Sequence, residues 1–268
     1  MWITEQYDLY EYNKGISLND FQKTFNITLH KEHEFLEDLR INVIPNLSAL
    51  IFQGGEPFLM KQQWNIIDFI INAGVAGNIT LSYHTNGTIW NDLIAEKLSK
   101  FYQVNLCLSI DDIGERFEFL RHPAKWCEVE TNINRIIKWH AESSETRSIL
   151  INSVITPYNL YTVHELLDYF ISKNIPVKLH PTDSPDYFSI SNIPYLLKSV
   201  FLESLNSKKL PSIYQDEINN VISMLMNTDN PESWKTFLKT TDLHDTYRNE
   251  DYKKTFPEFY SVIDQYDK

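Results

Sequence analysis

The chain has 268 residues, 43% of them hydrophobic and 13% aromatic, with a net charge of −12. That size suits one large α/β domain or two small ones, and the hydrophobic and aromatic content excludes a disordered chain. The acidic balance excludes a nucleic-acid backbone as the expected partner, no apolar run is long enough to span a bilayer, and two cysteines make no disulfide framework.

Residues 1–46 read as an N-terminal helical segment. Apolar residues recur at helical spacing over 18–25 and 31–39, and Ser17 and Asn19 offer N-caps. Met1 to Glu5 has neither the basic start nor the apolar core of a signal peptide. With the low cysteine content, a reducing, cytoplasmic compartment is expected.

From residue 47 strands and helices alternate. Strand 50–53 is followed by helix 61–71. Strand 78–83 is followed by helix 91–100. Strand 103–108 leads into a loop carrying Glu115-Arg116-Phe117, Arg121-His122-Pro123 and Lys125-Trp126, then helix 127–140. Strand 148–155 precedes helix 160–172, and strand 176–179 ends at His180-Pro181. Such alternation predicts βαβ units and a parallel sheet, and five units make an open or partial barrel over 47–194. The Pro-, Ser- and Asp-rich stretch 181–194 marks an internal boundary. Helices 195–205, 215–226 and 232–245 follow as an extension over 195–268 that packs on the barrel, with 251–268 read as a polar end.

In a parallel sheet ligands sit at the carboxyl ends of the strands. The first strand ends at Gly54-Gly55-Glu56-Pro57. Two glycines let a ligand approach the main chain, Glu56 offers an acceptor-only carboxylate, and Pro57 presets the next turn. Later strands end at Thr85-Asn86-Gly87, at Ser109 with Asp111, and at His180-Pro181, while Asn152 lies near the end of the fourth. Each alone reads equally well as a turn or helix cap. Together they predict one polar rim.

The order Gly54-Gly55-Glu56-Pro57, Thr85-Asn86-Gly87, Ser109-Ile110-Asp111, Glu115-Arg116-Phe117-Glu118 and Arg121-His122-Pro123-Ala124-Lys125-Trp126 resembles radical SAM enzymes, most of all their twitch-domain group. The resemblance runs from about residue 47 towards the C-terminus. It implies a partial (β/α) barrel with S-adenosylmethionine as cofactor and a peptide or small molecule as substrate. Carried over, Gly54, Gly55 and Glu56, beside Pro57, hold the methionine end. Ser109 and Asp111 lie near the ribose hydroxyls, and Asn86 and Asn152 are further cofactor candidates on the rim. Arg121 and His122 are substrate-binding candidates, with surface ion pairing as the alternative.

The family also implies a [4Fe–4S] cluster held by three cysteines in a C-x₃-C-x₂-C loop after the first strand. That motif is absent here, and Cys107 and Cys127 read as core or helix-surface residues. Trp2 and Glu5 are similar to a pair that follows the cluster loop, so the chain is expected to begin just downstream of it. Either the chain is a fragment, from a late start codon or a split gene, with the cysteines on another polypeptide, or it is a pseudoenzyme that kept the barrel and lost the metal. Strand 50–53 then has an open edge for N-terminal helices or a partner to cover. Two other classes stay open: a non-radical barrel enzyme using Glu56, Asp111 and His180 as acid–base groups, and a binding scaffold for a peptide or protein.

Overall fold

A computed structural model describes residues 37–207 and 211–266. Trp2, Glu5, the helix expected over 18–25 and the first six residues of the one expected over 31–39 lie outside the described residues. The chain enters through a π-helical turn at Leu39–Val43 and a 3₁₀ turn at Ile44–Asn46.

Five strands form one parallel sheet: β1 Ala49–Phe52, β2 Thr80–Thr85, β3 Gln103–Ser109, β4 Arg147–Ile155 and β5 Val177–Pro181. Their spatial order is their chain order. Consecutive strands are therefore joined by successive crossovers of one hand, which stack their helices on a single face. These helices are α1 Lys61–Asn72, α2 Asp92–Leu98, α3 Gly114–Leu120, α4 Trp126–Ala141 and α5 Val163–Ser172. The result is the partial (β/α) barrel expected from the alternation.

Burial follows the period of two. Leu81, Tyr83, Val104, Leu106, Leu108, Ile149, Ile151, Ile155, Val177 and Leu179 are all buried. They meet Ile67 and Ile70 of α1, Ile94 and Leu98 of α2, Ile133 and Ile136 of α4, and Leu167 and Phe170 of α5 in one apolar cluster. Each such side chain contributes roughly 1.5–3 kcal/mol through burial. The opposite face carries Ser82, His84, Asn105, Cys107, Ser109, Ser148, Asn152, Lys178 and His180, half-buried or exposed. This polar face is the open side of the partial barrel.

The two sheet edges differ. Among the described residues β1 pairs only with β2, and Ile51 is 60% exposed. Beyond β5, the amide of Val177 donates to Tyr214 Oη (3.2 Å) and that of Leu179 to Glu217 Oε2 (2.9 Å). Side chains occupy the donors that a sixth strand would need, so the sheet stops there.

Beyond the sheet lie α6 Tyr195–Ser207, α7 Gln215–Leu225, α8 Pro231–Arg248, α9 Tyr252–Thr255 and α10 Pro257–Tyr266. Two expectations are corrected. The stretch around Glu115–Phe117 is helix α3, not loop: Phe117 is buried against Trp126 of α4, and Phe119, two residues on, is buried on another side against Phe256 of the tail. The end read as polar is helical: Asp251 caps α9, and Phe256, Phe259 and Ile263 are buried at helical spacing.

Candidate functional site

All five strands run parallel, so their carboxyl ends share one edge of the sheet. The turns that the sequence singled out are gathered along that rim.

After β1, Gly54 and Gly55 adopt φ of +86° and +56°, the left-handed region that costs a side chain energy. A Cβ built on either meets nothing within 4 Å. The glycines serve conformation rather than space, and their main chain faces open room. Glu56 then turns inward and is 8% exposed. Its carboxylate accepts from Thr85 Oγ1 (2.8 and 2.9 Å), the amide of Asn86 (2.8 Å) and the amide of Phe58 (3.1 Å). Burial pushes its pKa up against those donors. Glu56 thus braces the β1 turn against the tip of β2 and does not project as a bare charge. Pro57 opens the 3₁₀ turn Pro57–Leu59, beneath which Phe58 packs on Trp64 and Tyr83.

After β2, the side-chain oxygen of Asn86 accepts from the amide (2.9 Å) and hydroxyl (2.6 Å) of Thr88, closing an Asx turn. Gly87 sits at φ +73°, and its carbonyl accepts from Asn132 Nδ2 at 3.0 Å.

After β3, two carboxylates clamp neighbouring elements. Asp111 Oδ1 accepts from the amide of Val154 in β4 (2.8 Å), and its Oδ2 from Arg121 Nε (2.6 Å). Asp112, almost fully buried, accepts from the amide of Ile113 (2.8 Å), Arg116 Nε (3.0 Å) and Thr162 Oγ1 (2.8 Å). Burial raises the Asp112 pKa to about 6 even so. Ser109 and Asn152 are half-buried Cα partners on the open face.

The two substrate-binding candidates are both engaged within the fold. Arg121 holds Asp111, and His122 Nδ1 lies 2.7 Å from Glu250 Oε1 on the helical extension. Arg248 beside it donates to the carbonyl of Phe119 at 3.1 Å. Arg121 is thus ion-paired with Asp111, and His122 makes a side-chain contact with Glu250. His180 lies half-buried on the open face, next to Val154.

The sequence reading missed three features. Thr85, 1% exposed, carries the brace on Glu56, a contact between residues 29 apart. Cys107 is not a core residue: it is half-buried on the open face as the Cα partner of His84. Its placement was readable, since Val104, Leu106 and Leu108 alternate with it. Lys178 was passed over for the same reason and shares that face. Cys127 is exposed at the start of α4, as the helix-surface reading expected.

The chemistry available follows from these donors. Left-handed glycine main chain, a braced carboxylate and a row of amides and hydroxyls suit a small polar ligand with a cationic amine and hydroxyls. The described residues hold no group of three histidine, cysteine or acidic side chains able to hold a metal. The whole sequence has two cysteines, on different elements, so three thiolates for a [4Fe–4S] cluster do not come from this chain. No described helix is long and apolar enough to cross a membrane.

No family model and no curated protein matches the chain. Among solved structures it is similar to anSMEcpe with bound AdoMet, at 20% identity over 74% of this chain and 59% of that one, with a TM-score of 0.47. It is also similar to anSMEcpe with bound AdoMet and the Cp18Cys peptide, at 20% identity over 64% of this chain and 53% of that one, TM-score 0.45. Streptococcus suis SuiB matches at 17% identity over 70% of this chain and 45% of that one, TM-score 0.39. The chain thus spans about half the length of the structures it matches.

Proposed function

We propose that this chain is a barrel of the radical SAM type, of the twitch group, whose strand-tip rim binds S-adenosylmethionine beside a peptide or small-molecule substrate in the cytoplasm. The observation that carries the reading is the convergence of the Gly54-Gly55-Glu56 turn, the Asn86 turn, Ser109 and Asn152 along one edge of a parallel sheet. In this reading the main chain of Gly54 and Gly55, held by Glu56, receives the methionine end. Ser109, Asp111, Asn86 and Asn152 line the nucleoside side.

The cluster does not fit the residues present. Its thiolates come from outside these 268 residues, or the chain works as a binding pseudoenzyme. The non-radical acid–base reading is disfavoured, because Glu56 and Asp111 are both committed to fixed donors within the fold. Titration calorimetry with S-adenosylmethionine on metal-free protein tests the proposal. Saturable one-to-one binding that falls severalfold in Gly55→Ala is expected. No heat of binding at millimolar ligand would rule the reading out.

A further inference from the structure

The sheet is finished at β5 and left open at β1. At β5 the amides of Val177 and Leu179 are taken by Tyr214 and Glu217. At the other edge the amide of Thr80 donates to the carbonyl of Ser48 at 2.9 Å, and Leu50 and Phe52 are Cα partners of Leu81 and Tyr83. In a parallel ladder alternate residues turn both main-chain groups to the same neighbour, so Ser48, Leu50 and Phe52 serve β2. The amides and carbonyls of Ala49 and Ile51 point the other way, and among the described residues no hydrogen bond reaches them.

Side chains show the same lack of cover. Leu81 and Tyr83 are fully buried, whereas Leu50 and Phe52 beside them are only half-buried, and Ile51 is 60% exposed. Residues 47–53 hold no charge and no proline that would blunt a free edge. The neighbour that fits is a strand with apolar side chains on the helix-covered face and polar ones on the open face.

The sequence holds such a stretch outside the described residues. Phe25, Ile27 and Leu29 alternate with Asn26, Thr28 and His30. Eighteen residues, 31–48, separate it from β1, enough for the crossover that a parallel neighbour needs. That crossover includes the turns Leu39–Val43 and Ile44–Asn46, whose Leu39 and Ile44 pack on the core.

We infer that residues 25–30 pair with the free edge of β1 as a parallel strand. Phe25, Ile27 and Leu29 then extend the apolar face beside Leu50 and Phe52, and Asn26, Thr28 and His30 continue the polar one. In that register the amide of Ile27 is directed to β1. The tether holds the segment at roughly millimolar effective concentration, so it outcompetes a second copy or a separate polypeptide for the same edge. The inference rests on the edge and the sequence, not on the proposed cofactor. It bears on that reading in one way: a filled edge leaves no place at β1 for a strand from a second polypeptide.

Nuclear magnetic resonance on the deuterated full chain tests it. Amide-to-amide contacts between residues 25–30 and 49–52 are expected, with slow exchange at Ala49 and Ile51. Ile27→Pro removes a donor to β1 and should speed exchange at both positions about hundredfold, with β3 and β4 unchanged, while Ile27→Val keeps the protection. Free exchange of Ala49 and Ile51 in the wild-type chain overturns the inference. So does protection that rises with protein concentration alongside a doubled mass, which assigns the edge to a second copy, and so does protection that survives Ile27→Pro. Should Ile27→Pro unfold the chain, the wild-type contacts decide alone. Failure to bind S-adenosylmethionine would defeat the proposed function and leave this strand in place.

Discussion

At the scale of residues, the rim is held by buried polar contacts that reach across long sequence distances. Thr85 gives its only hydroxyl proton to Glu56, and the two lie on different strand ends. Thr85→Val keeps the shape and removes the donor, leaving a buried carboxylate short of one partner. The expected cost is about 1–3 kcal/mol in urea unfolding, with Thr85→Ser restoring most of it. An unchanged midpoint would show that the brace is idle. Asp112 makes a pH-dependent counterpart. Its pKa, near 6 in the fold, exceeds the usual carboxylate value, so the native state keeps a proton that the unfolded chain has lost. Its stabilising contribution is complete below about pH 4 and is lost as pH rises through 6. Relative to Asp112→Asn, wild-type stability should therefore fall by about 2–3 kcal/mol across that window. A difference that stays flat with pH would contradict the assignment. Legibility at this scale was partial. Gly54-Gly55-Glu56 stood out because paired glycines before a proline have few other uses. The inward turn of Glu56 did not, because it depends on which hydroxyl the register of β2 delivers.

At the scale of elements, the helical extension belongs to the barrel rather than hanging from it. Tyr158, beyond β4, packs against Phe119 of α3 at 5.4 Å, Phe237 of α8 at 4.9 Å and Phe256 at 5.4 Å between ring centroids. Its hydroxyl lies 2.5 Å from Thr241 Oγ1 of α8. Phe259, 1% exposed, closes the group from α10. Phe259→Ala should cost about 3–5 kcal/mol and lower the whole unfolding transition together. A tail that melts separately, with the barrel untouched, would show the two to be independent. The helices 195–205 and 215–226 were legible because their apolar residues recur at helical spacing. The last 18 residues hid theirs: Phe256, Phe259 and Ile263 keep the spacing but are diluted among Asp, Lys and Tyr. Helix α3 was missed for its length, since seven residues hold too few turns for periodicity to register.

At the scale of the molecule, one alternation of strand and helix sets the chemistry. Each crossover returns the chain to the same side of the sheet, so apolar residues gather under the helices and polar ones on the open face. Every strand tip then falls on one rim. That architecture was readable from the sequence because period-two strands and period-3.6 helices are both long here. Where the sheet ends was not readable, because Tyr214 and Glu217 block β5 from 35 or more residues away. Sealed at β5, the open face of the described sheet runs from β1 to β5. The same geometry predicts separable effects for Gly55. Nothing crowds its Cβ, so Gly55→Ala should cost only about 1–2 kcal/mol of backbone strain in stability. Its S-adenosylmethionine affinity should still fall severalfold, in a chain that stays folded. An affinity loss that merely follows the fraction unfolded would point to simple unfolding.

Amide hydrogen exchange on the metal-free protein, with and without S-adenosylmethionine, tests the rim directly. Slowed exchange confined to 53–58, 85–88, 109–112 and 152–156 is the predicted result. Protection among the outer helices, or none anywhere, would contradict it.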